Sequence, residues 1–158
     1  MNPHDNSSKT ISRAAAIVIH HDAVLLMYRE RGNEIYYAFP GGTVEPSETT
    51  QDAAIRELAE ETSIEAHPIR LLYHLHVMDN ERPHTEEYFY WCDYISGTPS
   101  LQVNSIEYTR MNDANFYQPL WIPLNKLKNL LIYPLEIRDT LIADIANGFS
   151  SNVKKIFV

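Results

Sequence analysis

The sequence predicts an α/β fold in a single domain. Two observations carry that reading. Short apolar or aromatic runs bounded by turn residues recur along the chain, and two longer stretches, 50–62 and 134–147, have the composition and end signals of helices. A length of 158 residues is enough for one substantial core and too little for two. With 44% hydrophobic and 22% charged residues, the composition is that of a globular protein and excludes disordered and fibrous classes.

Residues 13–20, containing Ala14-Ala15-Ala16-Ile17-Val18-Ile19, read as a buried strand, and residues 23–29 as its hairpin partner after a short His21-Asp22 turn. Arg31-Gly32-Asn33-Glu34 is loop chemistry. Residues 36–39 form a short aromatic strand that stops at Pro40-Gly41-Gly42, a glycine pair that lets backbone approach a ligand closely. Thr49 followed by Asp52 resembles a capping box and opens the helix over 50–62, whose apolar side carries Ala53, Ala54, Ile55 and Leu58. Residues 68–78 and 87–95 are two long strands suited to a second hairpin, closed by Ser96-Gly97-Thr98-Pro99. Residues 101–118 show no period and read as a long loop of the kind that often carries function. A short strand at 120–122, a helical turn at 123–127, a helix over 134–147 ended by Gly148 and a last strand at 153–158 complete the chain. Residues 1–10 are polar and read as a loose tail, which leaves 11–158 as the domain.

The formal charge of −8 disfavours a surface that neutralises many nucleic-acid phosphates, so no nucleic-acid partner is expected. A polyphosphate ligand would then need a bound divalent cation. One cysteine, Cys92, excludes an internal disulfide framework and a thiolate zinc cage and suits a reducing compartment, so a cytoplasmic location is expected. No apolar run reaches the roughly 18 residues of a membrane span, and no membrane partner is expected. Aromatic strands leave room for a homodimer.

The chemistry is concentrated in one spacing: Gly42, then Glu48, then Arg56-Glu57-Leu58-Ala59-Glu60-Glu61-Thr62-Ser63-Ile64. At residue frequencies of about 6%, the charged and glycine positions would match by chance on the order of once in 10⁷ starting points. The pattern resembles the Nudix box at every position except one, where Ser63 replaces glycine. Phe39-Pro40-Gly41-Gly42 before it and Trp121-Ile122-Pro123-Leu124 after it also resemble the family, here MutT-like in character. The resemblance implies the Nudix fold, an α/β/α sandwich with a mixed sheet between helices. It also implies cleavage of a pyrophosphate bond in a nucleotide-like small molecule, a nucleoside diphosphate linked to another group, with Mg²⁺ or Mn²⁺ as cofactor. A Nudix-like domain that binds nucleotide as a sensor without catalysis is the alternative.

On a helical wheel Glu57, Glu60 and Glu61 share one face, while Ala54, Leu58 and Thr62 lie roughly 110° away. The Glu57–Glu61 pair repels by a few tenths of a kcal/mol or more, a cost that a cation relieves. The resemblance implies that these three glutamates and the Gly41 carbonyl hold metal, that Arg56 orients a glutamate, and that Glu48 supports the site. A serine at position 63 adopts a left-handed helix end at a cost of about 1 kcal/mol. The general base is open among a box glutamate, Glu107, Glu86 and Glu87.

Arg29 and Arg31 follow a strand on the path to the glycine pair and are candidates for substrate phosphates. Gly42 and Glu48 join them as candidate substrate contacts. Phe39 and Tyr117, with Tyr37 and Tyr90, are candidates to stack a base, although strand aromatics are more often core. His74 and His76 face the same side of a strand, as in two-histidine metal sites, with no third ligand apparent in the sequence.

Overall fold

The computed structural model describes residues 9–158. Most of the expected tail, residues 1–8, lies outside the described residues. Nine strands, β1 Ile11–His20, β2 Ala23–Arg31, β3 Glu34–Ala38, β4 Gly41–Thr43, β5 Glu65–Val77, β6 Thr85–Ser96, β7 Asn115–Pro123, β8 Ile132–Tyr133 and β9 Lys154–Phe157, form one mixed sheet. Its main path runs β8-β3-β2-β1-β6-β5-β9, with β4 paired to β1 and β7 paired to β2. Helix α1, Thr50–Thr62, covers one face, and helix α3, Leu135–Asn147, covers the other. The expected α/β/α sandwich is therefore the observed architecture.

Strand β1 is buried on both faces, which explains its unbroken apolar run. Ala14, Ala16 and Val18 pack with Ala54 and Leu58 of α1, whereas Ala15 and Ile17 pack with Ile137 and Leu141 of α3. The β1–β2 hairpin turns through His21 and Asp22, both at positive φ (48° and 58°), as a two-residue primed turn requires. Only Ile19–Val24 and His20–Ala23 pair before the strands diverge. Beyond that point β1 runs between β4 and β6, while β2 runs between β3 and β7. The split opens a cleft at the far ends of β1 and β2.

Three expectations change. The loop over 101–118 contains a five-residue helix, α2 Ile106–Arg110, capped by the Ser105 hydroxyl, and it gives way to β7 at Asn115. Pro119 disguised that strand. It is tolerated because β7 pairs only with β2 and lies at an edge. Gly41 and Gly42, read as a strand stop, form β4 against Ala14 and Ala15, and β8 was not expected at all. The helical turn after β7 is a 3-10 helix, Leu124–Asn129.

Candidate active site

Helix α1 starts where its signals predict. The Thr49 hydroxyl accepts from the Asp52 amide at 3.0 Å, one half of the capping box. It ends on Ser63 in the left-handed conformation (φ 59°, ψ 16°), so the missing box glycine leaves the terminus in place. The Ser63 hydroxyl donates to the Ser100 carbonyl at 2.7 Å and accepts from the Ser100 hydroxyl at 3.1 Å. Those bonds offset part of the strain and tie the helix end to the segment leading into α2.

Between these ends the three box glutamates stand in different environments. Glu61 is buried and accepts from the Gly41 amide at 3.0 Å. Glu57 is nearly buried, its side chain 13% exposed, and Glu60 is more open at 40%. Burial pushes the Glu61 carboxyl well above the usual range, and the like charges of Glu107 and Glu57 push it further, against the Gly41 amide and Arg29. Burial also raises Glu57, with Arg56 opposing.

A Cβ on Gly42 would meet the Glu57 carboxylate and displace it from its present position. A Cβ on Gly41 would strike the Ala14 carbonyl and Ala15. The pair thus lets α1 press its carboxylates onto the sheet.

Arg56 does orient glutamates, but its main partner is not the i,i+4 residue. Its Nη2 and Nε donate to Glu48 at 2.7 and 3.1 Å, Nη1 to Glu57 at 2.9 Å, and Nη2 to the Thr43 carbonyl at 3.1 Å. Glu60 is the weakest contact, at 3.5 Å. The bidentate Arg56 pair holds the Glu48 carboxyl below its usual range, helped by the Glu45 amide. Both Glu48 oxygens are therefore occupied. Glu48 is a positioning residue behind the cleft, and the expectation of substrate contact is corrected.

The cleft, about 590 Å³, is lined by Gly41, Gly42, Arg29, Arg56, Glu57, Glu60, Glu61 and Glu107, all named from sequence, together with Arg13 and Arg110, which were missed. Arg13 stands at the polar start of an otherwise apolar strand, a signal that was available. Arg110 gave none, because α2 was not legible. Glu107 sits on α2 facing Glu57 and Glu61. Arg29 lies over the Tyr117 ring at 4.6 Å and the Tyr36 ring at 5.6 Å, which aims it into the cleft. Arg31 and Tyr117 border an adjoining pocket of about 400 Å³ with Arg29 and Arg110.

Other candidates do not border this cleft directly. Phe39 is 7% exposed and edge-on to Phe89 at 5.8 Å, and it borders two smaller pockets beside the cleft that Arg13, Arg29 and Gly41 also line. Tyr90 is buried under α1, hydrogen-bonded to Thr50 at 2.5 Å. Glu86 is held by His74 and His76 and does not border the cleft, which corrects its candidacy as base. Glu87 opens into an adjoining pocket of about 200 Å³ that shares Arg13, Arg29, Gly41 and Gly42 with the cleft, and burial raises its carboxyl.

A hard divalent cation fits the donor set of the cleft. Glu57 and Glu61 are desolvated carboxylates raised by burial and by neighbouring carboxylates, Glu107 among them for both, a combination that favours any added positive charge. Arg56 is the counter-charge paired with Glu57 at 2.9 Å, and Arg29 acts on Glu61 through its charge without an ion pair. Among the described residues the box oxygens are not gathered within 4.8 Å of one another, as expected of like charges.

The pattern of the NUDIX domain family matches residues 10–141. The chain is 28% identical over 125 residues to a Mycobacterium tuberculosis protein named MutT4, a match covering 77% of this chain and 46% of that protein. It is 38% identical over 56 residues to the RNA pyrophosphohydrolase of Pseudomonas savastanoi, covering 35% of each. The matches thus span less than half the length of these curated relatives. Among solved structures, the E. coli ORF135 protein superposes with a TM-score of 0.68 at 22% identity, covering 92% of this chain and 96% of that one. That likeness shows the fold.

Proposed function

This chain belongs to the NUDIX domain family, and on that footing we propose that residues 11–158 form a single hydrolase domain that cleaves a pyrophosphate bond in a nucleoside diphosphate linked to another group. The observation that carries the reading is the buried Glu61, beside Glu57 and facing Glu107 in a cleft bordered by Arg13, Arg29 and Arg110, where burial and those like charges outweigh the Gly41 amide and Arg29. A structural carboxylate has no reason to remain so placed. Glu57, Glu60, Glu61 and the Gly41 carbonyl would hold Mg²⁺ or Mn²⁺, which supplies charge neutralisation of the diphosphate and acidifies water.

The chain's own residues do the rest. Arg29, braced on two aromatic rings, binds a phosphate, with Arg13 and Arg110 on either side of it. Arg56 is anchored by Glu48 and fixes the Glu57 carboxylate. Glu107 is the favoured base, since it borders the cleft without a hydrogen-bond partner among the described residues and can accept a proton from the attacking water. Arg31 and Tyr117 reach the far end of the substrate.

A nucleotide-like small molecule remains the preferred substrate, in a cytoplasmic setting. The Pseudomonas relative is named an RNA pyrophosphohydrolase, so RNA belongs in the test as well. No helix among the described residues is long and apolar enough to cross a membrane. The test is a phosphate-release screen with Mg²⁺ and Mn²⁺ over nucleoside triphosphates, nucleotide sugars, dinucleoside polyphosphates and 5′-triphosphate RNA, with Glu61→Gln as control. Release from at least one compound, lost in the variant, is expected. No release, together with tight nucleotide binding, would instead identify a sensor.

A further inference from the structure

The β5–β6 hairpin carries a second constellation outside the cleft. In its antiparallel register His76 lies opposite Glu86 and His74 opposite Tyr88, so the two histidines and the glutamate share one face, opposite to that of the core residues Tyr73 and Leu75. His74 Nε2 touches a Glu86 oxygen, and His76 Nδ1 lies 2.9 and 3.0 Å from the two oxygens of the same carboxylate. One donor atom from each residue lies within 4.8 Å of the others. Donors about 2 Å from a tetrahedral ion stand roughly 3–3.5 Å apart, so little movement separates this cluster from a coordination sphere.

The donors are also held in place. Four rings form a continuous stack, with Tyr88 on His74 at 4.3 Å, His74 against His76 at 3.9 Å, and His76 on Phe157 at 4.4 Å. The stack fixes both imidazoles with their inner nitrogens on Glu86. His76 Nε2 is buried without a hydrogen-bond partner, so the Glu86 contact at Nδ1 and the stack together orient that ring. The side chains are 17%, 19% and 26% exposed, shielded yet reachable from solvent.

We propose that His74, His76 and Glu86 form a binding site for a borderline transition-metal ion, Zn²⁺ foremost, separate from the Mg²⁺-type cleft. Two imidazole nitrogens and one carboxylate oxygen suit zinc, with a fourth position left to water, whereas the all-oxygen cleft suits hard ions. A bound ion would clasp β5 to β6 beside the C-terminal strand β9.

The test uses the full untagged chain with a large excess of Mg²⁺ to fill the oxygen cleft, and titrates Zn²⁺ against a chromophoric chelator. One zinc per chain is expected. His74→Ala and the near-isosteric Glu86→Gln should each weaken binding by at least about tenfold, while Glu61→Gln leaves it unchanged. Co²⁺ should give visible absorption that is lost in both hairpin variants, with circular dichroism checking their fold. The proposal fails if wild-type protein retains no zinc, if Glu86→Gln binds as tightly as wild type, or if Glu61→Gln abolishes binding and so puts the ion in the cleft.

Discussion

Two helices of 13 residues cover opposite faces of the sheet, and each buries one carboxylate: Glu61 on α1 and Asp144 on α3. Asp144 accepts from the Tyr73 hydroxyl at 2.8 Å and is ion-paired with Lys154. Glu61 has one backbone amide at 3.0 Å, two like charges nearby, and only the longer-range charge of Arg29 in its favour, with no ion pair. The fold therefore neutralises a buried acid where the acid is structural. At α1 it leaves the charge open, and the deficit is available to a ligand.

The sharpest way to break this comparison is Glu61→Gln, which should lower turnover by about 10³-fold or more, the scale of losing a few kcal/mol of charge stabilisation. Stability should move the other way. A carboxyl raised in the folded state adds stability below its unfolded pKa, and that contribution disappears as pH climbs through the folded value. At neutral pH in a chelator the amide should therefore unfold at the same or a higher temperature. A clear drop would make Glu61 a structural acid like Asp144.

Glu107→Gln should reduce kcat by about 10²-fold with little change in KM, as loss of a general base does. Because it also removes a charge facing Glu61, thermal stability in chelator should not fall. A large rise in KM with kcat intact would reassign Glu107 to binding.

Asp144→Ala should behave as the mirror image, costing about 1–3 kcal/mol in denaturant unfolding because Tyr73 and Lys154 lose their shared acceptor. Activity per folded molecule should persist. Loss of activity with unchanged stability would contradict the division between the two helices.

The smallest effect concerns the helix ends, where Ser63 and Gly148 both take positive φ (59° and 93°). Ser63→Gly relieves a strain of about 1 kcal/mol and removes two hydroxyl contacts with Ser100 of about that combined value. The net change in stability should stay within about 0.5 kcal/mol, measured by chemical denaturation.

Much of the cleft was legible because one helix carries it. Covalent spacing fixes Glu57, Glu60 and Glu61 relative to Ala54 and Leu58, and the wheel even places Glu61 only about 20° from Ala54, a hint of its burial. Arg56 was read as an orienting residue, yet its bidentate partner Glu48 lies eight residues away around the helix start, beyond any helical rule. Glu86 has the right chemistry for a base, and only its neighbours His74 and His76 commit it elsewhere.

The sequence by itself determined the family resemblance, the ends of α1, the carboxylate cluster and the strands whose apolar runs are continuous, because those depend on local spacing and on burial patterns written into consecutive residues. Tertiary structure alone decided that β1 and β2 part after two residue pairs, that α2 brings Glu107 and Arg110 over the cleft, and that Glu86 meets His74 and His76. These are contacts between segments distant in the chain, set by strand register and by the packing of layers, and no local period encodes them.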